Sequence, residues 1–278
     1  MPAEPKLTER LVMQAPKMRR TGRSARLGGV LVFAAVAALV ILLLTRGSPA
    51  LLVTSFPMAK KLITNERAYF GPDAARVHKS RTWLVTSGSL FSDGGAGWTG
   101  IPDGVAPDVD SSNATDSAVF RVVTRRANFT DVTVSFQLRV VDLVTTQRTP
   151  ATSYDGVHVF LRYQNDKRLY VASVFRRDGI VALKEKLPGG ISNGGTYVSL
   201  AEGRYRMPMH TWVPVSVTIV TLPRQVVQLT MTIDSRTVLT ATEPPSRVPP
   251  ILAAGRVGLR GDNCEFFFRD FVVSATSP

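Results

Sequence analysis

Cysteine is almost missing from this 278-residue sequence: Cys264 stands alone. That excludes an internal disulfide framework, a CxxC redox pair and a zinc site built from cysteines. Histidine is nearly as scarce. His78, His158 and His210 are the full set and leave little room for histidine-based metal catalysis. No phosphate-cradling glycine loop, nucleophile elbow or zinc spacing is found. Basic residues vanish between Thr82 and Phe120, where Asp93, Asp103, Asp108, Asp110 and Asp116 all fall. Long apolar runs are missing too, with one exception near the N-terminus.

What is present is charge, unevenly placed. Lys and Arg number 34 against 21 Asp and Glu, a net charge of +13. Taken undivided, that charge points to nucleic acid or an anionic membrane surface. Its distribution points to topology. Lys6, Arg10, Lys17, Arg19, Arg20, Arg23 and Arg26 crowd the first 26 residues, against Glu4 and Glu9. Leu27–Leu44 then runs uncharged. At ~1.5 Å per residue it covers about 27 Å, close to the ~30 Å hydrocarbon core of a bilayer.

Positive charge ahead of a lone apolar span places the N-terminus in the cytoplasm and the remainder outside. The expected organisation is a basic cytoplasmic tail (1–26), a transmembrane signal-anchor (27–45), a membrane-proximal linker (46–75) and an extracytoplasmic β-sandwich (76–278). A cleaved secretory signal is the alternative, with Ser48-Pro49-Ala50 as a weak cleavage-site match. Both readings export the C-terminal part. The basic segment is then explained by inner-leaflet lipid, and no nucleic-acid partner is expected. The localisation expected is the cell membrane, single-pass.

From Trp83 onward the pattern is β. Val132, Val134, Phe136, Leu138 and Val140 alternate with polar residues, as do Val213–Ile219 and Val227–Ile233. Val157, Val159, Leu161 and Tyr163 alternate with His158, Phe160, Arg162 and Gln164. Asp178-Gly179 reads as a two-residue hairpin turn, placing Ser173 opposite Lys184. Ten or more antiparallel strands imply an all-β, two-sheet jelly-roll sandwich. Arginine outnumbers lysine 26 to 8, a bias of high-GC bacteria.

Several stretches carry a family likeness. They are Thr86–Phe91, Gly97-Trp98-Thr99-Gly100-Ile101-Pro102-Asp103, Tyr154–Gln164, Arg176–Gly179, Pro188-Gly189-Gly190 with Asn193–Tyr197, and Gly255–Asn263. Together, over about residues 62–278, these resemble actinobacterial membrane-anchored or secreted proteins of the concanavalin A-like lectin/glucanase (LamG-like) superfamily. The resemblance implies a jelly roll whose concave face often binds glycans. It implies no single activity, since lectins, binding modules, hydrolases and lyases share the fold.

Glucanases of that fold carry Glu-x-Asp-x-Glu on one strand, and no such triplet occurs here. A lyase needs a His or Tyr base with a neutralising cation. His158 and Arg162, four apart on one strand, with Tyr170 nearby, are the available constellation. Binding without catalysis uses the same face, with Lys184 added. Trp98 is a candidate sugar platform in a glycine-rich loop, and Trp83 and Trp212 are expected in the core. Asp103, Asp155, Arg260, Asp262 and Asn263 are further contact candidates at turns. Asp93, Asp108 and Asp110 are candidates for a structural Ca2+, against the simpler reading of Asx turns. The function expected is recognition of a polysaccharide or cell-surface glycan, with an anionic one favoured by the basic domain. A lyase or hydrolase is the first alternative, and an envelope protein partnering polysaccharide-synthesis or other membrane machinery is the second.

Overall fold

The computed structural model describes residues 49–67, 77–103, 119–243 and 249–276. The basic tail and the apolar run Leu27–Leu44 lie outside the described residues, as does most of the Pro-rich segment 243–250.

Sixteen strands are described, with one short 3-10 turn at Pro223–Gln225. In chain order they begin with β1 (Ala50–Val53), β2 (Lys61–Thr64), β3 (Trp83–Ser87), β4 (Leu90–Asp93) and β5 (Ala96–Trp98). Next come β6 (Val119–Thr124), β7 (Val132–Leu143), β8 (Gly156–Asn165), β9 (Arg168–Arg176), β10 (Ile180–Pro188) and β11 (Gly195–Arg204). The last are β12 (Val213–Leu222), β13 (Val226–Ile233), β14 (Arg236–Glu243), β15 (Arg256–Asp262) and β16 (Cys264–Ala275).

They form two antiparallel sheets. One has nine strands in the order β14-β13-β12-β7-β16-β5-β4-β2, with β1 on β16. The other has seven, in the order β11-β10-β9-β8-β15-β6-β3. The described residues thus form an all-β, jelly-roll-like sandwich.

Period-two patterning sets which residues meet between the sheets. Val132, Val134, Phe136, Leu138 and Val140 of β7 are buried in a strict alternation with half-exposed neighbours. Val157, Val159, Leu161, Tyr170, Ala172, Val174 and Leu259 oppose them from the seven-stranded sheet, with Trp83 and Phe268 in the same core. A one-residue slip of β7 would expose all five of its apolar side chains. At ~1.5–3 kcal/mol for each, only one register is stable. Cys264 is buried here as a free thiol, as a small hydrophobe would be.

Four expectations need correction. The stretch 46–75 is more than a linker, because β1 and β2 lie within it and pair with β16 and β4. Phe56, between them, packs edge-on against Phe268 at 5.2 Å. Trp212 lies outside the core: its ring faces outward under Arg269 and Arg139.

The hairpin register differs as well. Gly179 N–H donates to Arg176 O at 3.0 Å and Gly179 has φ of 71°, a four-residue turn with glycine in the left-handed position. Ser173 therefore stands opposite Ala182, not Lys184.

The fourth correction concerns β8. Phe160 faces Gly258 but Tyr163 faces Arg256, so β8 holds one extra residue. The bulge centres on Arg162, whose φ is 43°. Gly255 makes room for it, since a Cβ there would lie 2.5 Å from the Arg162 carbonyl carbon. Alternation breaks at this point. Arg162 turns inward with Leu161, and Tyr163 joins Phe160 on the outer face, with rings stacked at 5.7 Å.

Candidate functional site: a charged pocket on the smaller sheet

The outer face of the seven-stranded sheet carries a row of polar side chains in register. Arg121 of β6 pairs with Arg260 of β15, Arg260 with His158 of β8, and His158 with Ser173 of β9. Each is an outward position between core residues: Val157 and Val159 flank His158, and Ala172 and Val174 flank Ser173. Direct cross-strand neighbours stand ~4.5–5.5 Å apart, so the row is a continuous contact surface.

This face is cupped. Tyr197 of β11 lies four strands from β15, about 19 Å in a flat sheet. Yet its hydroxyl is 3.3 Å from Arg260 Nη1. The β10–β11 end therefore curls over the face, with Lys186 Nζ 5.0 Å from the Tyr197 ring. Beneath the curl, Phe160, Tyr163, Leu169, Val171 and Val123 form a second apolar cluster. What remains open is a pocket of about 220 Å³. Its walls are Tyr154, His158, Val171, Ser173, Arg176, Lys184, Ser192, Tyr197, Arg260 and Asp262.

The charges in the pocket are not equivalent. Asp262 accepts from Arg260 Nε at 2.8 Å and Nη2 at 2.7 Å, and from His158 Nε2 at 3.1 Å. Burial opposes the Asp262 charge, but Arg260 and His158 overcome it and hold the carboxyl far below the usual range. Burial likewise opposes the Arg260 charge, and Asp262 more than offsets it. His158 is pushed below its ordinary value, by burial first and by Arg260 and Lys184 next, against the pull of Asp262. It is therefore a neutral imidazole at pH 7. Its Nε2–H points at Asp262, which leaves Nδ1 to accept the Ser173 hydroxyl at 2.9 Å.

Two cations keep unused capacity. Lys184 makes no ion pair among the described residues; burial and then Arg176 lower its pKa, against a smaller pull from Glu202 and Asp178. Arg176 bonds Asp178 through Nη2 at 2.5 Å, but its buried Nε–H has no partner. Lys186, just beyond the pocket, is lowered to about 7 by burial and then by Arg260 and Arg121. The rim thus gathers more positive charge than its acids balance.

The sequence candidates sort as follows. His158, Lys184, Arg260 and Asp262 share the pocket. Arg162 does not: it is fully buried and donates to Thr130 O at 3.0 Å, Ile251 O at 2.7 Å, Asp131 Oδ1 at 2.8 Å and Thr221 Oγ1 at 2.6 Å. Tyr170 faces inward too, donating to Glu243 Oε2 and accepting from Ile251 N–H at 3.1 Å. The His158–Arg162–Tyr170 constellation is therefore split across the two faces of the sheet.

Asp155 and Asn263 are buried loop ties. Asp155 accepts from Thr152 Oγ1 at 2.6 Å and Arg177 Nε at 3.1 Å, and Asn263 Nδ2 donates to Asp155 Oδ1 at 3.2 Å. Trp98 is on β5 of the other sheet, stacked on Phe267 at 5.8 Å, with Nε1 donating to Glu265 Oε1 at 2.9 Å. It offers no platform to this pocket. Asp103 is exposed and is not a wall of the pocket. Asp93 ends β4, while Asp108 and Asp110 lie outside the described residues. Among the described residues no three His, Cys, Asp or Glu gather to hold a metal ion.

Sequence reading missed Tyr154, Arg176, Ser192 and Tyr197 as site residues. Tyr154 and Tyr197 flank Gly- and Asn-bearing turns, a faint signal. Arg176 is revealed only by the actual hairpin register.

Fold and site together define an antiparallel β-sandwich with a cationic pocket on the outer face of its smaller sheet. No family model and no curated protein matches the chain. Similar solved structures exist. A carbohydrate-binding module, CBM66, from Bacillus subtilis aligns at 13% identity and a TM-score of 0.46, over 69% of this chain and 95% of its own. A legume lectin-like domain from Entamoeba histolytica aligns at 7% identity and 0.44, over 71% and 91%. The exoplasmic/lumenal domain of VIP36, in a Ca2+/Man3GlcNAc-bound form, aligns at 10% identity and 0.40, over 70% and 86%.

Proposed function

We propose that the sandwich binds an anionic saccharide in this pocket, as a domain displayed outside the cell on an N-terminal signal-anchor. The gathering of Arg176, Lys184 and Arg260 around a cavity whose walls hold a single carboxylate, Asp262, carries the reading. Arg176 and Lys184 supply charge for a carboxylate or sulfate. Ser173, Ser192 and the Asp262 network supply hydroxyl partners, and Tyr154 and Tyr197 supply ring surface. At about 220 Å³ the pocket is smaller than the ~300–1,000 Å³ of drug-sized clefts. It suits one sugar ring, such as a chain end or a branch, rather than a long stretch of polymer.

The signal-anchor part rests on the charge asymmetry around Leu27–Leu44. Display outside a membrane fits a cell-surface glycan as ligand.

A glycan array probed with the full chain in detergent tests the reading. Binding should favour uronate or sulfated saccharides over neutral ones and weaken as salt rises. Equal binding to neutral glycans would remove the anionic assignment, and no binding at all would remove the function.

A further inference from the structure

Glycan recognition needs hydrogen-bond partners, but not the order in which three of them stand here. Ser173 Oγ is 2.9 Å from His158 Nδ1, and His158 Nε2 is 3.1 Å from Asp262 Oδ2. Hydroxyl, imidazole and carboxylate form one chain along the pocket wall. They sit on three adjacent strands, β9, β8 and β15, whose register is fixed by the core residues alternating with them. Both contacts fall within the ~2.6–3.2 Å required of a nucleophile and its base, with the base oriented by a third group.

We propose that Ser173 is an acyl-accepting nucleophile, with His158 as its general base and Asp262 as the group that orients the imidazole, acting on an ester carried by a saccharide. The saccharide part rests on the function proposed above, whereas the acyl chemistry stands on the serine, histidine and aspartate alone.

The protonation pattern fits. The charged and titratable groups facing His158 in the pocket are Asp262 and Arg260 on β15, Lys184 on β10, Arg176 on β9, Tyr197 on β11 and Tyr154 ahead of β8. Burial and the nearby cations keep the ring neutral, and Asp262 takes the Nε2 proton. Nδ1 is then the free lone pair, aimed at the Ser173 hydroxyl.

In the reaction, Ser173 Oγ bonds to the ester carbonyl carbon while its proton moves to His158 Nδ1. Asp262 stabilises the resulting imidazolium. The carbonyl oxygen gains negative charge, which the Arg176 guanidinium and the Lys184 ammonium, both walls of the same pocket, can meet. The bond from carbon to the sugar oxygen breaks, and the sugar leaves as an alcohol with the proton from Nδ1. Water then adds to the acyl-serine and gives its proton to Nδ1. The carboxylic acid departs and Ser173 recovers its hydroxyl. The net change is ester plus water to alcohol plus acid.

A fluorophosphonate probe tests this on the full chain in detergent. The probe loses fluoride as phosphorus bonds to a serine oxygen. Trypsin cuts after Arg168 and Arg176, releasing Leu169–Arg176, in which Ser173 is the only serine. The expected result is a mass adduct on that peptide in the wild type, absent in Ser173→Ala. Labelling should slow ~10²–10⁴-fold in His158→Gln, the usual contribution of a general base. Its rate in the wild type should rise with pH through a value below 6.5.

A wild-type protein that binds glycan but gives no adduct overturns the acyl chemistry and leaves the glycan reading intact. A Ser173 adduct without glycan binding has the reverse meaning. An adduct that forms at the same rate in a folded His158→Gln also overturns the proposal, because Ser173 would then react without its base. The wild-type adduct and its pH profile need no variant, so a misfolded mutant cannot hide the answer.

Discussion

The two sheets present outer faces built from similar residue types and used in opposite ways. On the nine-stranded sheet, cations lie flat on rings. Lys60 covers Trp98 at 4.2 Å, Arg139 lies 4.4 Å from Phe267 and 4.8 Å from Trp212, and Arg269 caps Trp212 at 4.3 Å. Each of these three positive charges has an aromatic partner, worth ~0.5–1 kcal/mol at an exposed site. On the seven-stranded sheet Lys186 over Tyr197, at 5.0 Å, is the one such contact found among the described residues. Phe160 and Tyr163 stack on each other, and the cations gather with Asp262 around a cavity. Composition alone does not make a binding face. A face becomes a site where curvature encloses space between charged side chains.

The largest effect expected from breaking this comparison comes from an arginine that belongs to neither face. Arg162→Ala should cost ~3–5 kcal/mol in urea unfolding, because it strips a fully buried guanidinium from Asp131 and two carbonyls. Glycan affinity of the protein that remains folded should not change. Reduced affinity with intact stability would put Arg162 back in the pocket.

Lys184→Gln acts on the pocket itself. Affinity for an anionic saccharide should fall about tenfold, or ~1.4 kcal/mol, with a shallower salt dependence by calorimetry.

A smaller effect comes from acid. His158 has a folded pKa below its unfolded value near 6.5, so the unfolded chain binds the proton first. Stability should hold above about pH 6.5 and decline as pH falls below it. His158→Gln should flatten that slope in thermal melts, and an unchanged slope would show that the imidazole is not held neutral.

Least affected should be the ladder on the nine-stranded sheet. Trp212→Leu should lower stability by ~1 kcal/mol or less and leave glycan binding alone. A binding loss on this variant would mean that the nine-stranded face takes ligand too.

The sequence made much of the fold legible for a simple reason. Strands β7, β12 and β13 follow strict alternation over many residues, and nothing else satisfies that pattern as well. The site was legible only where alternation survived, as at His158, Lys184, Arg260 and Asp262. One inserted residue in β8 inverted the placement of Arg162 and Tyr163, and a bulge leaves no periodic trace. Tyr170 was misplaced for another reason. It alternates correctly with Val171, but only its bonds to Glu243 and Ile251, on distant segments, explain a hydroxyl turned inward. Trp98 misled through its glycine neighbours. Gly97 reads as loop, yet it is a strand residue packed so closely that a Cβ would lie 2.7 Å from Phe268 and Phe56.

The pairing of β1 with β16 has a mechanical consequence. Ala50 lies beside Ser274, and Ala275 N–H donates to Pro49 O at 3.0 Å, so the chain enters and leaves the sandwich side by side. Tension between the two ends would act across these strands rather than along them. Their hydrogen bonds would open one at a time, like a zipper, and β1 would peel away before the inter-sheet core was loaded. The domain is therefore soft when drawn apart by its two ends.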